Sequence, residues 1–368
     1  MDIDRRSFIG ASAALGAAVA ADTAVAQGGS PRPRRIATEE AFASPDQAQA
    51  LLNLAKGDWP SPDLSLWRSF TRPEMASRSR LYRGLLDLEG DRIRDMDENG
   101  VDVQILSLTS PGVQIFNADT GTGLAATAND QLAETIGRHP TRFAGLAAFA
   151  PQDSARAAKE MERGINQLGL NGFILNSHTN NEYMDDRKFW PVFEAAQALN
   201  RPLYIHPRCP SEPMWDVSQD YGLSSGMWGF HSETSLHVTR MILAGVFDQF
   251  PKLQIVLGHM GEGLPYWLYR IDHVYQALNP VGSVGRLKAS PQEVFARNFS
   301  ITTSGVNDPK VLAYVIAALG VDKVMWAIDY PYESSKPAVE FMDQAPISAA
   351  DREKVYQINA ERIFSLRT

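Results

Sequence analysis

From residue 36 onward the chain alternates short apolar runs with amphipathic segments, and this alternation restricts the fold more than any other feature. Eight runs fall at 35–38, 101–108, 143–149, 170–175, 202–206, 253–258, 299–303 and 323–328. Apolar runs of this length read as strands buried on both faces. Between them the period changes. Residues 186–199 carry Phe189, Trp190, Val192, Phe193, Ala196 and Leu199, and 235–249 place Val238, Met241, Ile242 and Gly245 on one helix face. Strand alternating with helix implies a parallel sheet, and eight such units imply an α/β fold, a (β/α)8 TIM barrel. Two segments exceed a minimal barrel: 44–82 after the first strand and 207–233 after the fifth. Both lie on the strand-to-helix side, so both are expected to roof that end.

Several runs end on a chemically potent residue. Leu203-Tyr204-Ile205 leads to His206, Val324-Met325-Trp326-Ala327-Ile328 to Asp329, and Ile36-Ala37-Thr38 to Glu39. A parallel barrel gathers such strand ends at one rim. Glu39, His206 and Asp329 would then offer one imidazole nitrogen and two carboxylates to a single cation, a set suited to Zn²⁺ or Mn²⁺. Taken singly, each is weak. A strand-end histidine is more often a satisfied structural residue, and a strand-end aspartate more often caps a helix. The coincidence at one rim carries the reading.

A fourth run, Ile255-Val256-Leu257-Gly258, leads into His259-Met260-Gly261-Glu262-Gly263-Leu264-Pro265. His259 and Glu262 could form a proton-handling pair, the alternative being a glycine-rich turn that caps the next helix. Arg270 could grip a substrate carboxylate bidentately, or simply form a surface ion pair. His178 follows the fourth strand on the functional rim and is a candidate for the substrate shell. His231, in the loop before a helix, stays open. His139, His237 and His273 fall at a helix end or on helical patterns and read as structural.

The first residues stand outside this scheme. Asp4-Arg5-Arg6-Ser7-Phe8-Ile9-Gly10, an Ala/Gly-rich stretch and Ala24-Val25-Ala26 form a twin-arginine export signal over residues 1–26. Residues 27–35 read as a flexible linker and 36–368 as the barrel domain. Export by that route implies a periplasmic protein that folds, and takes up any metal, before translocation. Cys209 is the only cysteine, so no internal disulfide forms. A net charge of −8 with mixed signs gives no basic stripe for nucleic acid, and no segment after residue 26 could span a membrane.

The residues resemble the decarboxylase branch of the amidohydrolase superfamily, which acts on acids such as γ-resorcylate, 2,3-dihydroxybenzoate and 5-carboxyvanillate. The resemblance runs from about Ile36 to the C-terminus. It is carried by Arg35-Ile36-Ala37-Thr38-Glu39-Glu40-Ala41-Phe42-Ala43, Leu108-Thr109-Ser110-Pro111-Gly112-Val113-Gln114, Leu203-Tyr204-Ile205-His206-Pro207, Gly258-His259-Met260-Gly261-Glu262-Gly263-Leu264-Pro265-Tyr266 and Asp329-Tyr330-Pro331-Tyr332-Glu333. It implies one divalent metal on Glu39, His206 and Asp329, with His259 and Glu262 in the catalytic shell. Arg270 would then face the substrate, and Tyr332 joins His178 as a further substrate-binding candidate. Hydrolytic members open with His-x-His on the first strand, whereas this chain has Glu39-Glu40-Ala41. Ala41 cannot ligate, which speaks against a binuclear hydrolytic site.

The expected activity is metal-dependent, non-oxidative decarboxylation of an ortho-hydroxy aromatic acid, with Asp329 donating the proton to the ring. A lactone or cyclic-ester hydrolase on the same barrel is the alternative. A barrel that only binds would be expected to lose the ligand residues, which are intact. The two insertions would read the ring substituents, with Arg68, Arg72, Arg78 and Arg80 as candidate charged contacts. The resemblance also implies a homo-oligomer and a small aromatic carboxylate as partner.

Overall fold

In the computed structural model, residues 32–59, 61–72 and 76–366 are described, so the export signal and most of the linker lie outside the described residues. Eight strands run β1 Ile36–Phe42, β2 Val103–Leu108, β3 Phe143–Ala148, β4 Gly172–Asn176, β5 Leu203–His206, β6 Ile255–Leu257, β7 Phe299–Thr302 and β8 Val324–Met325. They pair in sequence order, every pair parallel. Every residue of the eight strands is buried, as a sheet covered on one face by helices and filled on the other by side chains requires. The seam between first and last strands is bridged by Thr38 N–H to the Trp326 carbonyl at 3.2 Å and Ala41 N–H to the Tyr330 carbonyl at 2.7 Å. This is the expected (β/α)8 barrel.

Two strands differ from their expected extents. β1 runs to Phe42, four residues past the expected end, because its pairing with β2 shifts by one residue between Ala37 and Glu40. Such a bulge re-aims side chains within a continuing strand. Glu39 therefore sits inside β1 rather than at its end. β8 is shorter than expected and stops at Met325. Beyond it the backbone stays buried, but its N–H groups go elsewhere: Trp326 to the Val355 carbonyl, Ala327 to Thr303 Oγ1 and Ile328 to Glu40. The apolar run continues while the ladder ends, and Asp329 stands on an irregular segment.

The insertion after β1 folds into helices Pro45–Ala55, Asp63–Phe70 and Ala76–Leu86. Ser44 starts the first of these by accepting the Gln47 N–H at 3.1 Å, with Pro45 at the first helical position. Trp67, Phe70 and Tyr82 pack ring against ring at 5.2–6.5 Å and bind the second helix to the third. The insertion after β5 holds the short helix Glu212–Trp215 and leads into Gly229–Leu243. A fully buried ion pair stitches the two insertions together, with Arg208 on Asp63, whose other oxygen accepts the Cys209 N–H at 3.2 Å.

Candidate metal centre and active site

β1 and β5 bring Glu39 and His206 to the same rim, and the segment after β8 brings Asp329. One ligand atom from each lies within 4.8 Å of the others, the only such group of three among the described residues. The imidazole of His206 is set for coordination. Its Nδ1–H donates to the Pro207 carbonyl at 2.7 Å, which leaves the Nε2 lone pair facing inward, 3.4 Å from Glu39 Oε1.

Glu39 is held more tightly still. Its Oε2 accepts from the hydroxyls of Tyr204, Thr302 (2.8 Å) and Ser304. Its Oε1 is buried without a hydrogen-bond partner, and so is Asp329 Oδ1. Two buried carboxylate oxygens without donors would each cost a large desolvation penalty unless a cation sits between them. That pairing, with the free imidazole nitrogen, fits a divalent ion bound by one nitrogen and two oxygens. Gly258 completes the cradle: a Cβ there would lie 2.5 Å from Glu39 Oε2.

His259 and Glu262 occupy a tight turn after β6 in which His259, Met260, Gly261 and Glu262 all have positive φ. The turn is the glycine-rich feature expected from the sequence, and it also builds the pair. His259 Nδ1 lies 2.6 Å from Glu262 Oε1, and its Nε2 faces Asp329 Oδ2 at 3.6 Å and Glu39 Oε1 at 3.7 Å. Burial disfavours charge on His259, but the surrounding carboxylates outweigh it and hold the imidazolium well above the usual histidine range. Burial likewise opposes ionisation of Glu262, yet His259 and His231 pull it down to about 2. Burial raises Asp329, against the attraction of His259.

The centre opens into a cavity of about 670 Å³, walled on the roof side by Asp63, Arg78 and Phe230 and on the rim by His231, Tyr332 and Asp329. Tyr332 is bonded through its hydroxyl to Thr109 Oγ1 at 2.6 Å. Of the four arginines singled out in the first insertion, Arg78 lines this cavity. Arg68 is committed to the Ala55, Gly57 and Trp59 carbonyls, and Arg72 and Arg80 are exposed.

Two expected substrate contacts are not brought to the cavity. Arg270 is exposed on helix Leu264–Leu278, whose buried face carries Leu264, Leu268 and Tyr275. Two residues past Leu268 is about 200° around an α-helix, so Arg270 points away from the barrel. His178 lies under the roof beside a separate cavity of about 150 Å³. Its Nε2–H donates to the Cys209 carbonyl at 3.1 Å and its Nδ1 accepts the Asn181 N–H at 3.2 Å. Burial keeps it neutral, well below the usual histidine range, with both nitrogens used by the backbone.

Other residues of the site carry no signal of their own in the sequence. Tyr204 and His206 share a strand face at a spacing of two, and Thr302 and Ser304 repeat that spacing at the end of β7. His231 donates to Glu262 Oε2 at 3.0 Å, so Glu262 bridges two histidines. Glu40, next to Glu39, turns the other way. Its Oε1 accepts the Ile328 N–H and its Oε2 the Tyr330 N–H, each at 3.0 Å. Burial pushes Glu40 up to about 8, against the pull of those two donors.

Known proteins share this architecture. A sequence model of the amidohydrolase family matches residues 81–366. The γ-resorcylate decarboxylase of Polaromonas sp. is 37% identical over 340 residues, covering 90% of this chain and 98% of that protein. The crystal structure of 5-carboxyvanillate decarboxylase from Sphingomonas paucimobilis superimposes with a TM-score of 0.88 at 49% identity, covering 91% of this chain and 99% of that one. The 5-carboxyvanillate decarboxylase of Novosphingobium aromaticivorans, complexed with manganese and 4-hydroxy-3-methoxy-5-nitrobenzoic acid, gives a TM-score of 0.88 at 39% identity, with 91% and 96% covered. A divalent ion, Zn²⁺ or Mn²⁺, fits the three donors found here. On the barrel, its rim residues and these matches together, the chain belongs to the amidohydrolase superfamily, in its decarboxylase branch.

Proposed function

We propose that the protein catalyses metal-dependent, non-oxidative decarboxylation of an aromatic acid with a hydroxyl ortho to the carboxylate, of the vanillate or hydroxybenzoate type. The observation that carries this reading is the pair of unpartnered carboxylate oxygens, Glu39 Oε1 and Asp329 Oδ1, beside His206 Nε2 at the floor of a cavity roomy enough for a substituted benzoate. A divalent ion on Glu39, His206 and Asp329 would supply Lewis-acid stabilisation of negative charge on the substrate oxygens.

The chain's own groups do the rest. Loss of CO₂ from an arene needs a proton at the ring carbon that carries the carboxylate, because a free aryl anion is too high in energy. Asp329 delivers that proton. The C–C bond then breaks, its electron pair returns to the ring, and CO₂ leaves. Each turnover consumes one proton, and His259, with Nε2 3.6 Å from Asp329 Oδ2 and Glu262 behind it, can restore it. Arg78 and Tyr332 line the cavity and are placed to orient the ring and its substituents. Ala41 leaves β1 without an imidazole to hold a second metal, which weighs against a hydrolytic water.

The test is a panel of 2-hydroxybenzoates and 5-carboxyvanillate, followed by ring absorbance and CO₂ release, with and without prior chelation. Activity on at least one acid, lost on chelation and restored by Mn²⁺ or Zn²⁺, is expected. Full activity of a metal-free preparation, or hydrolysis of a lactone without any CO₂ release, would overturn the reading. Periplasmic location by twin-arginine export is part of the same proposal, supported by Arg5-Arg6 and Ala24-Val25-Ala26. Fractionation of cells carrying either the intact signal or the double substitution Arg5→Lys with Arg6→Lys tests it, and an unchanged distribution would refute it.

A further inference from the structure

β1 carries two adjacent carboxylates, and only Glu39 reaches the metal centre. Glu40 is fully buried on the opposite side of the strand. A buried glutamate merely filling space would take whatever donors lie nearby. The two oxygens of Glu40 instead accept from Ile328 and Tyr330, the amides on either side of Asp329, each at 3.0 Å. Between them Asp329 has a φ of 76°, in the left-handed region that a non-glycine residue seldom enters without support.

The carboxyl of Asp329 has little else to fix it. Its Oδ1 has no hydrogen-bond partner, and its Oδ2 stands 3.6 Å from His259 Nε2. Its position is therefore set by the backbone that carries it. That backbone is gripped from several directions besides Glu40. Ala41 donates to the Tyr330 carbonyl at 2.7 Å, and the Arg92 guanidinium lies 4.7 Å over the Tyr330 ring while bonding to the Ala41 carbonyl at 2.6 Å. Gly84 packs so closely that a Cβ there would lie 2.9 Å from Pro331. Adjacent side chains of β1 point to opposite sides, one glutamate to the centre and the next to the loop, so a single strand governs two of the three ligands.

We propose that Glu40 is a positioning residue of the metal centre, fixing the Asp329 carboxylate against that of Glu39 by clamping the amides that flank Asp329. The proposal rests on the reading of Glu39, His206 and Asp329 as a metal site and does not depend on which substrate is used. It goes beyond the three ligands by assigning a role to a residue that touches neither ion nor substrate.

The test is Mn²⁺ binding without substrate, read as loss of the free-ion electron paramagnetic resonance signal. Glu40→Gln keeps the shape but replaces one acceptor by a donor, and Glu40→Asp keeps the acid but is too short to span both amides. Each is expected to weaken Mn²⁺ binding by about 10–100-fold, as changes behind metal ligands commonly do. Asn298→Ala is the control. It removes buried bonds to the Pro251 and Leu253 carbonyls at the far end of the barrel, and it should lower thermal stability while binding Mn²⁺ as wild type does. Wild-type affinity in a folded Glu40 variant, or equal weakening in Asn298→Ala, would overturn the clamp. Wild-type protein that binds no divalent ion would overturn the metal centre, and the clamp with it. A measurement free of variants is amide exchange in the metal-free wild type. Ile328 and Tyr330 should exchange slowly, and fast exchange at both would also sink the proposal.

Discussion

A single methyl group at position 258 would collide with the centre. Gly258 has an ordinary φ of −73°, so alanine there is not strained in its backbone; the obstacle is the Glu39 carboxylate, 2.5 Å from where the Cβ would sit. Gly258→Ala is expected to cost about 1–3 kcal/mol of stability by overpacking and to abolish tight Mn²⁺ binding. Denaturant unfolding and metal analysis check the two halves separately. At Asp329 the prediction concerns chemistry. Asp329→Asn keeps the volume but removes both a charged ligand and the proposed proton donor, so kcat should fall by on the order of 10²–10⁴-fold or more. Appreciable turnover in that variant would remove Asp329 as donor. These residue-scale effects differ because Gly258 acts by leaving space and Asp329 by the atoms it presents.

At the scale of elements, the roof is anchored by polar groups that the reaction does not use. His237, on helix Gly229–Leu243, joins Ser177 Oγ at 3.1 Å through Nδ1 and accepts the Met184 N–H at 3.0 Å through Nε2. It thereby ties the loop after β4 to the helix that ends the second insertion. Glu233, on the same helix, accepts from Ser211 N and the Tyr183 hydroxyl at 3.1 and 3.0 Å. Burial, assisted by Arg240, lowers His237 from 6.5 to about 3. The unfolded chain therefore binds a proton across that window that the folded protein refuses. His237's contribution to stability is complete above its unfolded pKa and is lost progressively as pH falls toward 3, with a slope of up to about 1.4 kcal/mol per pH unit. Denaturation midpoints measured between about pH 4 and 6.5 should fall more steeply for wild type than for His237→Gln. Parallel profiles would show that His237 does not titrate in this way.

Over the whole molecule, large apolar side chains among the described residues stay exposed on the insertion after β5, at Tyr221, Met227 and Trp228, and on one helix of the barrel. On helix Leu264–Leu278, Tyr266, Trp267 and Tyr269 are 67, 53 and 75% exposed, with Arg270 beside them. Exposed aromatic groups grouped in this way are suited to an interaction surface, and they are consistent with the homo-oligomer that the family resemblance implies. Light scattering of the purified protein should give a multiple of the protomer mass, and Trp267→Glu should reduce it. A monomeric wild type would refute self-association. Among the described residues no helix is long and apolar enough to cross a membrane.

Much of this was legible along the chain, for reasons that differ by element. The eight strands announce themselves because a parallel strand covered on both faces must be apolar throughout, whatever its neighbours. Their ends were less legible: β1 runs on through two glutamates, and β8 stops while its apolar run continues. Glu39, His206 and Asp329 were found by their common place at strand ends, even though Glu39 proves to lie within a bulged strand. Arg270 was chosen by its distance along the sequence, which does not tell which side of a helix a residue faces; within its own protomer it points away from the barrel. The sequence by itself determined the barrel and the set of residues able to hold a metal, since burial pattern and donor chemistry are local properties. Only the tertiary structure decided where Glu40 goes, which oxygens are left for an ion, and that the amides flanking Asp329 are held by Glu40. Those outcomes depend on contacts between positions up to 290 residues apart, which no local pattern encodes.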